Sequence, residues 1–442
     1  RQNTFDSDHP KAHQHGILGD DAYKVNLEVV VGTAADQIAV APGYLQKQWK
    51  KGQRAYFHYK MDRPIEHFYS IVSARYQVLR DSVMIQDQGK AKKIDLAIYY
   101  DARHRYNLQS MMRSMKHSLQ YCSKNFSPYQ YRQLRILEFP RYAGFAQSFA
   151  NMIPFSEGIG FVLDQRNTID VAYKVTAHEV GHQWWAHQVM AAHVNGAGMV
   201  LESLAQYTAV MVMKKHLPKE QLQKYMEFEH HRYFRGRTRL REKETPLSAA
   251  SINPVYLQYG KGAVNLFALQ HYIGEDNVNQ ALHRFIHHTD SLSNGEVTHY
   301  ATTQELIACI RRQTPDSLQS LVTDLFEKII LFDNKTTQAK ATKQGQDYVV
   351  TLNIDAQKYQ VNAEGQEQKI KINDWVDVGI YGQAPSGRDK GKDKLIYLKK
   401  HKITAPLTKL RIRVTQKPTK AGIDPLNILM DKNAENNVIK VE

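Results

Sequence analysis

Three histidines and a glutamate share the stretch TAHEVGHQWWAHQVM, residues 176–190. On a helix, His178 and His182 lie about 40° apart around the axis, so both imidazoles can reach one ion. Glu179 lies about 100° from His178, beside the metal, where it can hold a water molecule and take its proton. The spacing predicts a zinc site; the alternative is a surface helix that carries two histidines.

A catalytic zinc needs a third protein ligand and an open fourth position. His187 lies nine residues after His178, about half a turn around a continuous helix, and is rejected on that geometry. His193 lies beyond the expected end of the helix and stays open. Glu202 is the better candidate, because a lone carboxylate in the apolar helix predicted over 199–215 is costly unless it is neutralised. Charge pairing at the helix N-terminus is its alternative role.

The apolar patterning divides the chain into four segments. Residues 1–20 are polar and predict a loosely held lead-in, whose histidines offer an adventitious metal tract as the alternative. Residues 21–88 are strand-like and predict a β domain. Residues 89–334 alternate strands with helices and then become helical, which favours an α/β lobe followed by helices. Residues 335–442 carry short strands between Gly, Asn and Pro, as in a small β-sandwich. The predicted fold class is therefore α+β multidomain.

The bulk composition excludes several function classes. The formal charge is +15, but Lys and Arg are spread along the chain and no nucleic-acid-binding signature accompanies them. The densest basic run, 388–402, is interpreted as a solvated loop between strands. No apolar run approaches the roughly 18–20 residues that span a bilayer, so the chain is expected to be soluble. Cys122 and Cys309 each fall in a helix-like stretch and are predicted to be buried free thiols.

The predicted zinc site resembles the gluzincin aminopeptidases of the aminopeptidase N type, through HEVGHQWW (178–185) and LESLAQY (201–207). Most members have one residue fewer than the 19 that separate His182 from Glu202 here, and an asparagine where this chain has Leu201. Both departures are shared by a subgroup, the peptidase domain appended to ABC-type permeases. The resemblance covers roughly residues 55 to 440 of the chain.

The resemblance implies a thermolysin-like catalytic domain and one zinc ion per chain, held by His178, His182 and Glu202, with Glu179 as general base. QYGKGAVNLFAL (258–269) is similar to the family's Tyr-x-Lys-Gly stretch. That similarity implies that Tyr259 donates a hydrogen bond to the oxyanion of the tetrahedral intermediate. Simple packing is the alternative role of this tyrosine.

The resemblance also implies a carboxylate that binds the free α-amine of the substrate. The matching segment reads IPFSEGIGFV (153–162), in which Glu157 is the surviving acid. A carboxylate beside zinc would recognise an ammonium group by a charge-assisted hydrogen bond. The alternative is that Glu157 is an ordinary loop acid, because the flanking Met and Asn of the family motif are absent.

The expected function is therefore that of a zinc metallo-aminopeptidase that hydrolyses N-terminal residues from peptides. The alternatives are a non-catalytic peptide-binding module of a membrane transporter, and an endopeptidase. Because the chain begins at Arg1, we expect a segment of a longer or processed protein. A permease portion of the same polypeptide would then hold it at a membrane, on the extracytoplasmic (periplasmic) face.

Two further patterns are interpreted as structural rather than functional. His283 and His287 also lie four residues apart, but Arg284 takes the place of the glutamate, so a second metal site is not expected. The run 230–244 carries five arginines. It is interpreted as an exposed loop, with the binding of a peptide C-terminal carboxylate as the alternative.

Overall fold

The structure is a computed structural model that describes residues 12–19, 24–165, 169–239, 243–292, 299–383 and 392–442. Within these residues, a first layer is built from five short strands. The strands are β1 (Glu28–Ala34), β2 (Ile38–Val40), β3 (Tyr44–Lys51), β4 (Arg54–Lys60) and β5 (Val72–Ala74). β4 lies between β1 and β3 in an antiparallel sheet, and β2 pairs with β5.

The second layer is a four-stranded sheet in the order β6 (Gln77–Asp87), β7 (Lys90–Tyr100), β8 (Gln133–Phe139) and β9 (Met152–Ser156). β6 and β7 are antiparallel, whereas β7, β8 and β9 are parallel. Successive residues of β7 point to opposite faces. Leu96 and Ile98 pack in the helical core, and Ala97 and Tyr99 pack against the first layer.

The predicted domain boundary at residue 88 falls within a hairpin of the second layer. β6 and β7 form one hairpin, and Gln88 and Gly89 form its turn with positive φ of 49° and 79°. A boundary there would cut a continuous ladder of backbone hydrogen bonds. β6 belongs to the central sheet, because Val83 and Ile85 lie in the same core as the helices.

Eight α-helices in the described residues cover the other face of the sheet and extend beyond it. They are α1 (Leu108–Asn125), α2 (Val171–Gly181), α3 (Leu204–His216), α4 (Lys219–Arg239), α5 (Gly262–Ile273), α6 (Glu275–Leu292), α7 (Thr303–Gln313) and α8 (Gln319–Val322). Three π-helical turns adjoin the ends of these helices, at Met199–Ser203 before α3, Tyr256–Lys261 before α5 and Thr323–Glu327 after α8. No helix in the part of the chain described here is both long and apolar enough to cross a membrane.

The C-terminal strands form the predicted sandwich. They are β10 (Ile330–Gln344), β11 (Asp347–Val361), β12 (Glu367–Ile370), β13 (Asp374–Gln383), β14 (Asp393–Ile403), β15 (Leu407–Val414), β16 (Pro418–Ile423) and β17 (Val438–Lys440). One sheet holds β10, β11, β12 and β15, and the other has the order β14-β13-β16-β17. Leu352 and Ile354 of the first sheet share a core with Val376 and Val378 of the second. The α+β multidomain fold class is confirmed.

The structure bears on three smaller predictions, for the two cysteines, for His283 and for residues 388–402. Cys122 and Cys309 are buried and free, as predicted. His283 Nδ1 lies 2.5 Å from the Phe126 carbonyl oxygen, which gives this histidine a structural role. The loop interpretation of 388–402 is wrong from residue 393 onward, where the chain forms β14, and residues 388–391 lie outside the described part.

The lead-in is not loosely held where it is described. The Ile17 amide donates to the Ala191 carbonyl at 3.1 Å, and Gly16 forms a β-bridge with Ala192. His13 Nδ1 lies 3.0 Å from the Tyr300 carbonyl oxygen. His15 also lies in this segment, whereas His9 lies outside the described residues. These contacts attach the lead-in to the helical part of the chain.

A buried lysine joins the helical part to the sandwich. Lys358 of β11 bonds Asp324 at 2.5 Å and Asp374 at 2.9 Å, and its side chain is 7% exposed. We expect Lys358→Met to lower the free energy of unfolding by about 3–5 kcal/mol, because two largely buried carboxylates, each 12% exposed, would lose their cation. Chemical denaturation measures this loss. Lys335→Met, on an exposed position of β10, should change stability by less than about 0.5 kcal/mol; equal effects would contradict the assignment.

Candidate metal centre

α2 presents the first histidine of the motif. The Asp170 side chain caps the helix by accepting a hydrogen bond from the Tyr173 amide at 2.9 Å. At the other end, a Cβ on Gly181 would lie 3.2 Å from Thr208 Cβ and 3.3 Å from Ala205 Cα. Because this glycine has no side chain, α3 can approach α2 closely. The close packing brings the second half of the site to the first.

The helix ends earlier than the sequence suggested. α2 stops at Gly181 and His182 forms its C-cap, so His187 is not on the same helix. The premise for rejecting His187 was therefore wrong, but the rejection stands, because His187 Nε2 lies 3.1 Å from the Ser148 carbonyl oxygen. His193 is also excluded. Within the described residues, the metal-competent group that contains His178 has two other members, His182 and Glu202.

Glu202 lies in the π-helical turn Met199–Ser203, which leads directly into α3. The predicted regular helix over 199–215 is therefore interrupted at its start. π-helical turns widen the backbone locally and are frequent at functional sites. Here the turn places the Glu202 carboxylate opposite the two imidazoles of α2 and its C-cap.

The three ligand atoms form a compact triangle. His178 Nε2 and His182 Nε2 lie 3.0 Å apart. Glu202 Oε2 lies 3.3 Å from His178 Nε2 and 3.5 Å from His182 Nε2. Ligands at 2.0–2.1 Å from a tetrahedral ion are about 3.3 Å from one another. The triangle therefore matches one face of a zinc tetrahedron and leaves the fourth corner open.

The surroundings of the triangle also fit a cation. His182 Nδ1 lies 3.0 Å from the Trp185 carbonyl oxygen, a contact that fixes the ring and leaves Nε2 as the ligand atom. Burial lowers the pKa of His178 to about 4, which keeps this imidazole neutral. Burial disfavours charge on Glu202, yet His182 holds the pKa of this carboxyl well below its usual value. The site thus combines the neutral imidazole of His178 with the carboxylate of Glu202. Burial opposes charge on His182, yet this carboxylate raises the pKa of His182 to about 9.

Glu179 lies beside the triangle without belonging to it. Its side chain is buried, and its Oε2 has no hydrogen-bond partner within the described residues. Burial raises the pKa of Glu179 to about 7. The Ser148 backbone amide lowers the pKa of this carboxyl, but the effect of burial is larger. A carboxylate with one oxygen unoccupied is placed to accept a proton.

Tyr259 lies over the first imidazole. Its ring centroid is 5.4 Å from that of His178, with the ring planes inclined by 29°. Burial, reinforced by the negative charge of Glu202, raises the pKa of Tyr259 far above its ordinary value, so the phenol keeps its proton. It can therefore act as a hydrogen-bond donor at the open side of the triangle.

The turns that carry Glu202 and Tyr259 are joined directly. Ser203 Oγ donates to the Gln258 carbonyl at 2.7 Å. A Cβ on Gly262 would lie 2.3 Å from Ser203 Oγ, so only glycine allows this close approach. The family's Tyr-x-Lys-Gly pattern thus has a packing reason in addition to its tyrosine.

The contacts of Glu157 in the structure are with residues other than the triangle, and its role as amine anchor stays a prediction. Its Oε1 accepts from the Arg141 amide at 3.2 Å, and its Oε2 lies 3.7 Å from His104 Nδ1. It lines a separate cavity of about 620 Å³ next to the first layer of strands. Among the described residues, the metal-competent group that contains Glu157 is formed with His104 and Glu138 rather than with the triangle.

No sequence pattern predicted the hairpin segment that faces the site. Phe149 pairs with Met152 and Ala146 with Phe155, so residues 146–149 run antiparallel to β9 at the sheet edge. Gln183, just after the metal helix, donates to Ser148 Oγ at 2.6 Å and to the Phe149 carbonyl at 2.9 Å. The segment AQSF holds no charged residue and shows no motif, so the sequence offered no signal for it.

Comparison with known proteins agrees with this geometry. Residues 107–347, more than half of the chain, match the family model described as the peptidase family M1 domain. The chain belongs to peptidase family M1. The matched M1 region begins with the segment that leads into α1 and ends at the start of β11, and it contains all three members of the triangle. No curated protein matches the chain.

Solved structures of M1 proteins share the fold at low sequence identity. Aminopeptidase A of Legionella pneumophila, solved with aspartic acid, aligns over 94% of this chain with a TM-score of 0.61 and 14% identity. An M1 zinc metallopeptidase mutant from Deinococcus radiodurans, solved with a Tyr-Ser-Ala substrate, aligns over 69% with a TM-score of 0.51 and 15% identity. This M1 chain covers 46% and 64% of the lengths of those proteins.

Proposed function

We propose that this M1 chain is a zinc peptidase that removes N-terminal residues from peptides. The observation that carries the proposal is the triangle of His178, His182 and Glu202, with Glu179 on one side and Tyr259 on the other. Two histidines and one glutamate with an open fourth position form a catalytic donor set, whereas structural zinc is usually enclosed by cysteines. The solved neighbours are described as zinc metallopeptidases and aminopeptidases, which supports the same assignment.

Zinc, when bound, would supply a Lewis acid that polarises the scissile carbonyl and lowers the pKa of water. His178, His182 and Glu202 would hold it. Glu179 takes the proton of the attacking water on its unpartnered oxygen and delivers that proton to the leaving amine. Tyr259 donates its phenol hydrogen to the oxygen that becomes negative during attack. Burial of Glu179 and Tyr259 strengthens both interactions, because little water competes for them.

The preference for a free N-terminus is a separate part of the proposal. It rests on the family and on the aminopeptidase neighbours, because the contacts of Glu157 are with Arg141 and His104 rather than with the triangle. The same contacts favour a second candidate, an endopeptidase, in which no carboxylate is needed beside the scissile bond. The uncharged segment 146–149 borders the site in either case.

We expect purified protein to hydrolyse alanine p-nitroanilide, to lose this activity with 1,10-phenanthroline and to regain it with one equivalent of zinc. If the chain prefers a free N-terminus as proposed, N-acetylalanine p-nitroanilide should be cleaved at least about 100-fold more slowly. Release of p-nitroaniline measures both rates. Equal cleavage of free and blocked peptides would select the endopeptidase, and zinc binding without any cleavage would select a non-catalytic peptide-binding module.

The likeness to the permease-associated subgroup supports a further proposal about location. In this proposal the chain is one domain of a membrane transporter polypeptide and lies on the extracytoplasmic, periplasmic face, where it would meet peptides. Protease protection of the full-length protein in spheroplasts tests this arrangement. Digestion of the domain in intact spheroplasts is the expected result, and digestion only after lysis would contradict it.

A further inference from the structure

A cavity of about 570 Å³ lies beside the metal centre and is lined by the arginines of α4. The sequence-based interpretation of residues 230–244 as an exposed loop is wrong up to residue 239, because α4 continues to that residue. We call this cavity the arginine pocket. Its walls include Phe228, Arg232, Arg235, Arg239, Val255 and Tyr256.

The pocket is built by one face of α4. Arg232, Arg235 and Arg239 follow one another at intervals of three and four residues, which places their side chains on the same side of the helix. Opposite them, the segment Pro254–Tyr256 closes the pocket. A Cβ on Gly236 would lie 2.2 Å from Tyr256 Cβ, so the glycine lets this segment approach the helix closely.

The pocket carries a positive charge that its own acids do not balance. Arg232 Nη1 lies 3.1 Å from Glu229, an ion pair at the inner end. Arg235 and Arg239 make no ion pair with an acid in the described part of the chain. Arg237, on another face of α4, differs in this respect, because it is paired with Glu244 at 2.7 Å. The unpaired guanidinium groups are therefore a feature of the pocket rather than of the whole helix.

Arg232, which lines the pocket, lies next to one of the catalytic side chains. The Arg232 guanidinium carbon lies 5.5 Å from the centroid of the Tyr259 ring, which in turn lies 5.4 Å from the centroid of the His178 ring. The two steps together span at most about 11 Å, the length of about three extended residues. If the enzyme removes N-terminal residues, only the chain on the C-terminal side of the scissile bond is long enough to reach the pocket.

We propose that the arginine pocket binds a carboxylate of the peptide substrate, two to three residues beyond the scissile bond. Guanidinium groups bind carboxylates through paired, charge-assisted hydrogen bonds. The carboxylate is either the C-terminus of a tripeptide or tetrapeptide, or the side chain of an acidic residue at that distance. The direction of the peptide in this inference rests on the proposed function.

The test measures binding, so that it does not depend on turnover. Zinc-loaded Glu179→Gln protein is titrated by calorimetry with Ala-Ala-Ala and Ala-Ala-Ala-Ala, each as the free acid and as the C-terminal amide. A third pair consists of two peptide amides that carry Asp or Asn at the third position. We expect the anionic member of at least one pair to bind about tenfold more tightly, as the loss of a hydrogen bond between charged groups predicts. Tighter binding of a free acid than of its amide identifies the C-terminus as the bound group. Tighter binding of the Asp peptide than of the Asn peptide identifies an acidic side chain.

The same titrations are repeated with Arg235→Gln and Arg239→Gln combined in the Glu179→Gln background. The preference for the anionic peptide should be lost, so that the two members of each pair bind about equally well. Lys224→Gln, on an exposed position of α4 about 16 Å from Arg235 along the axis, removes a positive charge outside the pocket and should retain the preference. No preference in the parent protein, or one that survives the double substitution, overturns the proposal. Failure of wild-type protein to cleave any of these peptides would instead count against the proposed function.

Discussion

Glu179→Gln should lower kcat on alanine p-nitroanilide by about 10³-fold or more, while the protein still binds one zinc ion. A general base contributes about 10²–10⁴-fold to the rate, and the amide cannot accept the proton of the attacking water. The zinc content should not change, because Glu179 is not part of the triangle formed by His178, His182 and Glu202. Steady-state kinetics together with atomic absorption measure the two effects separately.

Glu157→Gln is the matched control, because it makes the same chemical change on a glutamate that lies away from the site. It should leave kcat/KM within about twofold of the wild-type value, as expected for a side chain distant from the reacting atoms. A loss of activity in Glu157→Gln as large as that in Glu179→Gln would instead support the amine-binding role predicted for Glu157. Undiminished turnover in Glu179→Gln would overturn the proposed mechanism.

Tyr259→Phe should lower kcat by about 10²–10³-fold with little change in KM, because removing one donor to an oxyanion costs that much. The fold should tolerate the change, since only the hydroxyl is lost and the ring can still stack on His178. We expect the free energy of unfolding to change by less than about 1.5 kcal/mol. Stopped-flow or steady-state kinetics and a thermal unfolding curve check both parts.

Tyr272→Phe offers a comparison within the same helical region. The Tyr272 hydroxyl donates to the Trp375 carbonyl at 2.7 Å and lies in the contact between α5 and β13. Its loss should cost about 1 kcal/mol of stability and leave kcat unchanged. If both substitutions lowered kcat equally, the effect of Tyr259→Phe would reflect packing rather than donation to the oxyanion.

The sequence was sufficient for the centre of the site, because the information there is local. His178 and His182 are four residues apart, and helical geometry alone places them together. Glu202 could be selected because a charged residue in an apolar stretch needs a partner. The strands of the sandwich were also visible, since their alternation is a property of short segments. In each case the residues concerned are close in the chain or stand out against their neighbours.

Features that depend on long-range pairing could not be obtained in this way. Glu157 looked plausible because it precedes the metal helix by about twenty residues, but only the pairing of β9 with β8 shows which end of the strand faces the metal. The hairpin at 146–149 becomes part of the site through Gln183, a contact between segments without any charged residue. The end of α2 at Gly181 and the π-helical turn at Glu202 depend on how closely α3 packs.

The bond between Ser203 and Gln258 has a mechanical consequence. The peptidase site is divided between two bodies: one carries the histidines of α2, and the other carries Glu202 and Tyr259 on turns that are fastened to each other. A displacement of the second body would withdraw a zinc ligand and the oxyanion donor at the same time. Under the proposed function, the chain is therefore expected to lose metal affinity and transition-state stabilisation together, as one cooperative change, rather than to pass through a state that retains zinc without the tyrosine.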